Sequence, residues 1–305
     1  MKPINGVVPV IPIPFDDQEN IDEASLRRTV KWVVDQGLPA MCLPAYGSEF
    51  YKLTESERET VVGIAVDSSA GRTPVVAQAN HGSAKVAALT AKRYEKRGAD
   101  LISFAIPRQF STSNDDLLRY CGRICDAVSI PVLIQDFNPG RPTIDADFIA
   151  ELAKRHPNFR YVKLEEAMLI DKLVRIRDRV GDRVGILEGW GGYYMLEAIP
   201  LGAVGIMPGV PLADLLQRVF IWRQQGENEK AYDLLGVLLP FINFTLQDFE
   251  LFLQVEKRLM VRRGLFTQAN LRQITLSLSP AMDSYVGFLI DQIMRVLDRV
   301  TEEHN

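Results

Sequence analysis

The chain has 305 residues, of which 47% are hydrophobic, and its 35 basic and 39 acidic residues leave a net charge of -4. This mild balance does not favour a nucleic-acid or membrane-surface partner. The opening segment "MKPINGVVPVIPIPF" lacks the long apolar run of a signal peptide. The most apolar later stretch, "LLGVLLPFINF", is too short to span a bilayer and contains Pro240. We therefore expect a soluble, cytoplasmic protein.

Histidine and cysteine are scarce, with three of each. No histidine pair has the spacing of metal ligands, and no Cys-x-x-Cys is present. A zinc site or a Ser-His-Asp triad is therefore not expected, and the cysteines are interpreted as reduced, mostly buried thiols. Any catalysis falls to lysine, carboxylates, tyrosines and backbone groups.

Short apolar runs rich in β-formers alternate with longer amphipathic stretches. The eight runs, in chain order, are "GVVPVIPIPF" (6–15), "AMCLPA" (40–45), "PVVAQAN" (74–80), "LISFAI" (101–106), "PVLIQD" (131–136), "RYVKLEE" (160–166), "VGILEG" (184–189) and "AVGIMPG" (203–209). Eight strands alternating with helices predict an α/β fold, the (β/α)8 barrel.

Helix boundary signals support this interpretation. Asp22 is a plausible N-cap of a helix ending at Gly37, and Thr54 with Glu57 forms a capping-box pattern. After Gly209 the alternation stops, and residues 211–305 show helical patterns only. We therefore predict a barrel over 1–225 and a helical C-terminal extension, 226–305, packed on it.

A lysine stands inside the sixth run, "RYVKLEE". Strand alternation places Tyr161, Lys163 and Glu165 on one face, and lysine is rarely buried without a partner. A desolvated, partly neutral amine at the mouth of a barrel can attack a carbonyl and form a Schiff base. The residues alone leave another explanation open, a structural ion pair with Glu165, Glu188 or Asp136.

Several motifs occur in a familiar order and spacing. They are "PVIPIPFD", "AYGSEFYKLTESER", "PGR" (139–141), "YVKLEE" and "LGAVGIMPG". In these, nearly the whole chain resembles the dihydrodipicolinate synthase / N-acetylneuraminate lyase superfamily. The resemblance implies a (β/α)8 barrel with a helical C-terminal region, usually a tetramer, and thus a homo-tetramer or dimer. It also implies a class I mechanism in which Lys163 condenses with pyruvate or another 2-keto acid.

The chain departs from the family pattern at two tyrosines and one threonine pair. "LIQDFNPGR" has Gln135 where the family tyrosine stands, "PRQF" brings Phe110 in place of the second tyrosine, and Tyr46-Gly47 replaces the Thr-Thr pair. The Gln-Asp pair on strand 5, with Lys-x-Glu on strand 6, resembles an atypical branch that includes dehydratases of 2-keto-3-deoxy sugar acids such as 2-keto-3-deoxyarabonate.

Catalytic roles are assigned as hypotheses on that resemblance. Glu165 or Asp136 could carry protons beside the imine, and Tyr46 could replace the lost phenol of the position now held by Gln135. For Glu165 and Asp136 structural pairing, and for Tyr46 simple packing, remain open.

Substrate contacts are expected around the same mouth. Gly47 and Ser48 would hold the C1 carboxylate through backbone N–H groups and the Ser48 hydroxyl, although a plain turn before the second helix remains open. Arg141 resembles the family arginine that meets the distal polar end of the second substrate, although a solvated loop arginine remains open. The other candidate substrate contacts at strand ends are Phe110, Gly189 and Met207. No metal or organic cofactor is called for, because the lysine imine is itself the electron sink.

Three functions follow from these features. The leading one is a Schiff-base lyase that dehydrates or cleaves a 2-keto acid. Such a dehydratase needs only this one small-molecule substrate and no second carbonyl compound. The second is a dihydrodipicolinate synthase that condenses pyruvate with aspartate semialdehyde. The third is a non-catalytic barrel that binds a keto acid.

Overall fold

The computed structural model describes residues 2–108, 112–138 and 143–302. Within these ranges, eight parallel strands lie in the order β1-β8-β7-β6-β5-β4-β3-β2. Their bounds are β1 Gly6–Val7, β2 Met41–Leu43, β3 Val75–Gln78, β4 Leu101–Ala105, β5 Val132–Asp136, β6 Phe159–Leu164, β7 Gly185–Glu188 and β8 Ala203–Ile206. The predicted (β/α)8 barrel is confirmed.

The first strand is shorter than the run 6–15 predicted, because prolines at 9, 12 and 14 remove ladder donors. The chain still closes the ring beyond it. Val10 bridges both Cys42 and Gly209, and the Cys42 amide donates to the Pro9 carbonyl over 2.9 Å. The backbone at 9–11 therefore joins the two ends of the sheet.

Helices follow the strands around the outside. Their bounds are α1 Glu23–Asp35, α2 Glu55–Ser69, α3 Ala84–Arg97, α4 Asn114–Cys125, α5 Ala146–Arg155, α6 Leu169–Val180, α7 Met195–Ala198 and α8 Ala213–Gln225. The Asp22 side chain accepts from the Ser25 amide, and Thr54 and Glu57 form a reciprocal capping box, so both predicted helix starts are confirmed.

Three more helices make up the C-terminal region: α9 Asn228–Thr245, α10 Phe249–Arg262 and α11 Pro280–Glu302. One apolar cluster runs from barrel residues such as Val7 and Ile206 into Leu235 and Val255 of these helices. The extension is thus packed on the barrel, while the division at residue 225 stays a prediction. No helix of the described chain is long and apolar enough to cross a membrane.

Strand alternation separates the barrel interior from the layer under the helices. The interior cluster includes Cys42, Leu133, Tyr161 and Leu187. The neighbouring side chains on the same strands, such as Val162, face the helices instead. Any side chain with the inward parity near a strand's carboxyl end therefore points into the mouth of the barrel.

Candidate active site

Lys163 is placed by this parity on the inside of β6. It follows Tyr161 at an interval of two, and it lies opposite Gln135 of β5 in the strand register. Its residue surface is only 6% exposed, yet it lines a cavity at the carboxyl end of the strands. The predicted inward lysine at the barrel mouth is what the structure shows.

A chain of hydrogen bonds starts at this lysine. Lys163 Nζ lies 2.9 Å from Glu165 Oε1, and Gln135 Nε2 donates to the other Glu165 oxygen over 2.5 Å. Gln78 Nε2 in turn donates to Gln135 Oε1 over 2.7 Å. These amides fix the Glu165 carboxylate beside the amine, so the ion pair considered above does form, within the wall of an open cavity.

The cavity has a volume of about 450 Å³. The four residues of the hydrogen-bonded chain line it together with Thr245, Gln247 and Asp248, and the other lining residues are mostly aromatic, aliphatic or glycine. The lining residues include Val10, Tyr46, Gly47, Phe137, Trp190, Gly191, Met207, Pro208, Gly209, Leu246, Asp248, Phe249 and Phe252. This mixture of an apolar wall with few convergent polar groups is typical of a small-molecule site.

Tyr46 lies in the turn after β2 and contributes a phenol to this cavity. Its ring packs edge-on against Phe50 with centroids 5.1 Å apart, and it contacts Phe137 at 5.6 Å and Phe249 at 6.2 Å. Burial, with the nearby Glu165 carboxylate, raises the pKa of the Tyr46 hydroxyl. Tyr46 is therefore a protonated, well-packed group facing the site.

The next two residues of the turn are placed differently. Gly47 lines the cavity, where an added Cβ would lie 3.1 Å from Val10 Cγ1. Ser48 is fully buried, its hydroxyl donates to the Ile11 carbonyl over 2.6 Å, and its amide donates to the Ala45 carbonyl. Both Ser48 donors are thus already engaged away from the cavity, contrary to the expectation that they hold a carboxylate.

Asp136 is likewise not brought to the cavity. It follows inward Gln135 on β5, so its side chain has the opposite parity. Its oxygens accept from Arg108 Nε over 2.8 Å and from the Ile144 amide over 2.6 Å, with a second bond from Arg108 Nη2. This carboxylate holds the loops after β4 and β5 together and does not line the cavity, contrary to the expectation that it could carry protons beside the imine.

Gly189 packs directly against the Glu165 side chain. An added Cβ at Gly189 would overlap Glu165 Cγ, so the glycine leaves room for the carboxylate beside Lys163. Met207 does line the cavity, and its amide donates to the Glu188 carbonyl over 2.8 Å. The two remaining predicted contacts, Phe110 and Arg141, lie outside the described residues.

Several cavity residues escaped the sequence analysis. Gln78 has the same inward parity as Val76 on β3. Its position as a polar residue at the end of an otherwise apolar strand could have predicted that it lines the cavity. The wall from α9 and α10, including Leu246, Phe249 and Phe252, gave no signal, because an apolar residue on an amphipathic helix is more often core.

A buried carboxylate also lies close to the site. Glu188, at the end of β7, is inaccessible, and it accepts from the Tyr194 amide over 3.3 Å. Burial raises the pKa of Glu188 well above its usual value. Glu188 is not among the cavity-lining residues.

No group of three or more potential metal-ligating side chains was found in the described parts of the chain.

Comparison with known proteins bears on this arrangement. A model of the dihydrodipicolinate synthetase family matches residues 3–293. An L-2-keto-3-deoxyarabonate dehydratase of Azospirillum brasilense is 28% identical over 242 residues, which are 78% of each chain. A probable 5-dehydro-4-deoxyglucarate dehydratase of Bradyrhizobium diazoefficiens is 30% identical over 176 residues, 58% of this chain and 55% of that one.

The fold is shared with solved structures of the same family. Dihydrodipicolinate synthase from Rhodopseudomonas palustris superposes with a TM-score of 0.88 at 22% identity, over 95% of this chain and 97% of that chain. The family match spans the barrel and most of the extension, as the sequence motifs predicted. The chain therefore belongs to the dihydrodipicolinate synthetase family.

Proposed function

We propose that the protein is a class I lyase in which Lys163 forms an imine with a 2-keto acid, and that it dehydrates, or cleaves by retro-aldol reaction, a 2-keto-3-deoxy sugar acid. The observation that carries the proposal is the placement of Lys163 Nζ in the cavity, 2.9 Å from a Glu165 carboxylate that Gln135 holds from its other side. An amine, a base and an orienting group are thus adjacent.

The first step is attack of the neutral Lys163 amine on C2 of the keto acid. Loss of the carbonyl oxygen as water leaves a protonated imine, which withdraws electrons from C3. Glu165 is within reach of the imine nitrogen and accepts a proton from C3, giving an enamine. No external cofactor takes part, because the iminium nitrogen accepts the electron pair.

The second step is elimination. The enamine electrons expel the C4 hydroxyl, which leaves as water after receiving a proton. Tyr46 is the proposed donor of this proton, since it lines the cavity and burial keeps its phenol protonated. Water then hydrolyses the unsaturated imine, releasing the keto acid product and the free lysine.

The alternative cleavage branches from the same imine. If a base removes the proton of the C4 hydroxyl, the C3–C4 bond breaks, the fragment from C4 onward leaves as an aldehyde, and pyruvate is left on the lysine as an enamine. Protonation of that enamine at C3 and hydrolysis of the imine then release pyruvate and the free lysine. The relatives that are named dehydratases support the elimination branch. Gln135, which replaces the family tyrosine, supports a reaction without the usual phenol at that position. Assembly into a homo-tetramer or dimer remains a prediction from the resemblance.

The test is borohydride reduction of the protein in the presence of pyruvate or a 2-keto-3-deoxy acid of five or six carbons. We expect a reduced adduct by intact mass that peptide mapping places on Lys163, and product analysis separates an unsaturated or rearranged keto acid from released pyruvate. If the folded protein gives no adduct with any of these acids, a non-catalytic barrel that binds a keto acid becomes the better interpretation. Turnover only with pyruvate plus aspartate semialdehyde would favour the synthase.

A further inference from the structure

A second, much smaller chamber adjoins the main cavity on the side of the C-terminal helices. Its volume is about 10 Å³, close to the minimum that holds one water molecule. The residues that line both spaces are Gly191, Pro208, Gly209, Thr245, Leu246 and Phe252. The chamber is therefore a recess in the wall of the candidate active site.

Glu256 of α10 reaches this recess. The residue is 4% exposed, and its Oε2 has no hydrogen-bond partner among the described residues. An added Cβ at Gly209 would overlap Oε2, so this carboxyl group packs against a glycine that also lines the main cavity. A buried polar group without a partner costs free energy, which a bound hydroxyl or water in the recess would recover.

Burial raises the pKa of Glu256 to about 8, so the group is largely neutral at pH 7. A neutral carboxylic acid both donates and accepts a hydrogen bond. A hydroxyl group has the same dual capacity and is a well-matched partner. A second carboxylate is a poor one, since Lys163 is the one cation among the described residues that line the two spaces.

Trp190 carries a second unpaired polar group, and its chain neighbour Gly191 lines both the main cavity and the recess. It lines the main cavity next to Gly191, and its buried Nε1 has no partner in the described chain. Its backbone φ is +46°, a conformation that a bulky residue rarely adopts and that is found mainly at functional sites. The indole N–H is a donor only, so it complements an oxygen.

We propose that Glu256 and Trp190 form a subsite for the terminal hydroxyl of the keto acid, with one water in the recess linking Glu256 to that hydroxyl. The subsite rests on the proposed function, because Lys163 must fix C2 of the substrate before its tail can lie here. It makes the protein select acids whose tail ends in a hydroxyl group. Glu256 and Trp190 act on specificity and take no part in the bond-breaking steps.

The experiment compares the five- or six-carbon 2-keto-3-deoxy acid that turns over faster with its analogue carrying a methyl group in place of the terminal CH2OH. The wild-type protein should prefer the hydroxyl acid in kcat/KM by about 10- to 100-fold, since the methyl analogue leaves buried polar groups of the site without a hydrogen-bond partner. Glu256→Met and Trp190→Phe should each reduce the preference by about tenfold or more. Glu256→Gln, which keeps a donor and an acceptor, should retain most of it.

Glu188→Met is the matched control, because Glu188 is also a buried carboxyl group with an unpaired Oε2 but does not line either space. Its preference ratio should equal that of the wild type, whatever its rate. The yield of reduced adduct with pyruvate, which has no tail, should be the same in Glu256→Met, Trp190→Phe and the wild type. If Glu256→Met fails to fold, Trp190→Phe and Glu256→Gln still give the ratio.

An unchanged ratio in Glu256→Met and Trp190→Phe, with the pyruvate adduct intact, overturns the subsite and leaves the imine mechanism standing. An equal loss of preference in Glu188→Met also overturns it, because the effect is then one of general packing. Absence of the pyruvate adduct in the wild-type protein overturns both proposals together.

Discussion

Two buried lysine–glutamate pairs, Lys163–Glu165 and Lys257–Glu49, differ in what else each lysine contacts. Lys163 pairs with Glu165 and faces the 450 Å³ cavity. Lys257 of α10 pairs with Glu49, and both side chains are fully buried. By burial alone, Lys257 would be the stronger candidate for an activated amine.

The remaining contacts of Lys257 show why it is structural. Its Nζ donates to the Asn270 carbonyl over 2.8 Å and lies 4.4 Å from the centre of the Phe15 ring. Burial lowers the pKa of Lys257 to about 8, but no cavity gives a keto acid access to it among the described residues. A lysine that reacts with a keto acid needs access to a cavity, and Lys163, the lysine proposed to do so, combines burial with such access.

The largest difference between the pairs should appear when each lysine is replaced by methionine. Lys163→Met should abolish turnover and the borohydride-reduced adduct, because no other amine faces the cavity among the described residues. Its thermal unfolding should stay cooperative. Intact mass and product analysis check this, and an adduct of wild-type yield in Lys163→Met would assign the chemistry to another lysine.

The next largest effect concerns the partner of the reactive lysine. Glu165→Gln should lower kcat by about 100- to 10,000-fold, the range for loss of a general base, while the imine with pyruvate still forms. Single-turnover rates and adduct yield separate the two steps. A kcat equal to that of the wild type would mean that Glu165 only pairs with the lysine.

The structural pair should respond in stability instead. Lys257→Met removes one of the two lysines that pair with Glu49 and leaves only Lys52, whose Nζ lies 3.1 Å from Glu49 Oε2. We expect the free energy of unfolding to fall by about 1–3 kcal/mol, the cost of leaving a buried polar group without a partner. The double variant Lys257→Met/Glu49→Gln also removes the carboxylate charge that has lost one of its two cations, while Lys52 keeps its pair with Glu250, and it should recover at least half of that loss. Urea titration measures both. A single variant as stable as the wild type would contradict a structural role for the pair.

The smallest effect tests how Glu165 is held. In Gly189→Ala the new Cβ would push against Glu165 Cγ and displace the carboxylate from Lys163, so kcat should fall by about 10- to 100-fold. Gly236→Ala is the matched control, because nothing lies within 4 Å of a Cβ added there. Equal activity of both variants would show that Glu165 tolerates the shift.

Much of this arrangement is predictable from local pattern. The eight strands, the inward parity of Lys163 and the Thr54–Glu57 cap depend on alternation and on neighbours close in sequence, and the structure contains all three. The length of β1 was overestimated, because apolar residues between prolines resemble a strand but cannot donate to a ladder.

Contacts between residues that lie far apart in the sequence could not be predicted in the same way. Asp136 and Ser48 were chosen for their chemistry at strand ends, but the groups that bind them, Arg108 and the Ile11 carbonyl, belong to other segments. The wall from residues 245–252 depends on how the C-terminal helices fold back over the barrel mouth. No periodicity in the sequence encodes that docking.

The same wall has a consequence for synthesis of the protein. Lys163 leaves the ribosome more than 80 residues before Phe249 and Phe252, which complete the cavity. In a nascent chain that has folded only its barrel, the Lys163 amine would lie in a pocket that lacks this wall. Glu49 would not yet be paired with Lys257. The proposed chemistry of Lys163 is therefore expected only after residues 245–252 have docked on the barrel and completed the wall of the cavity.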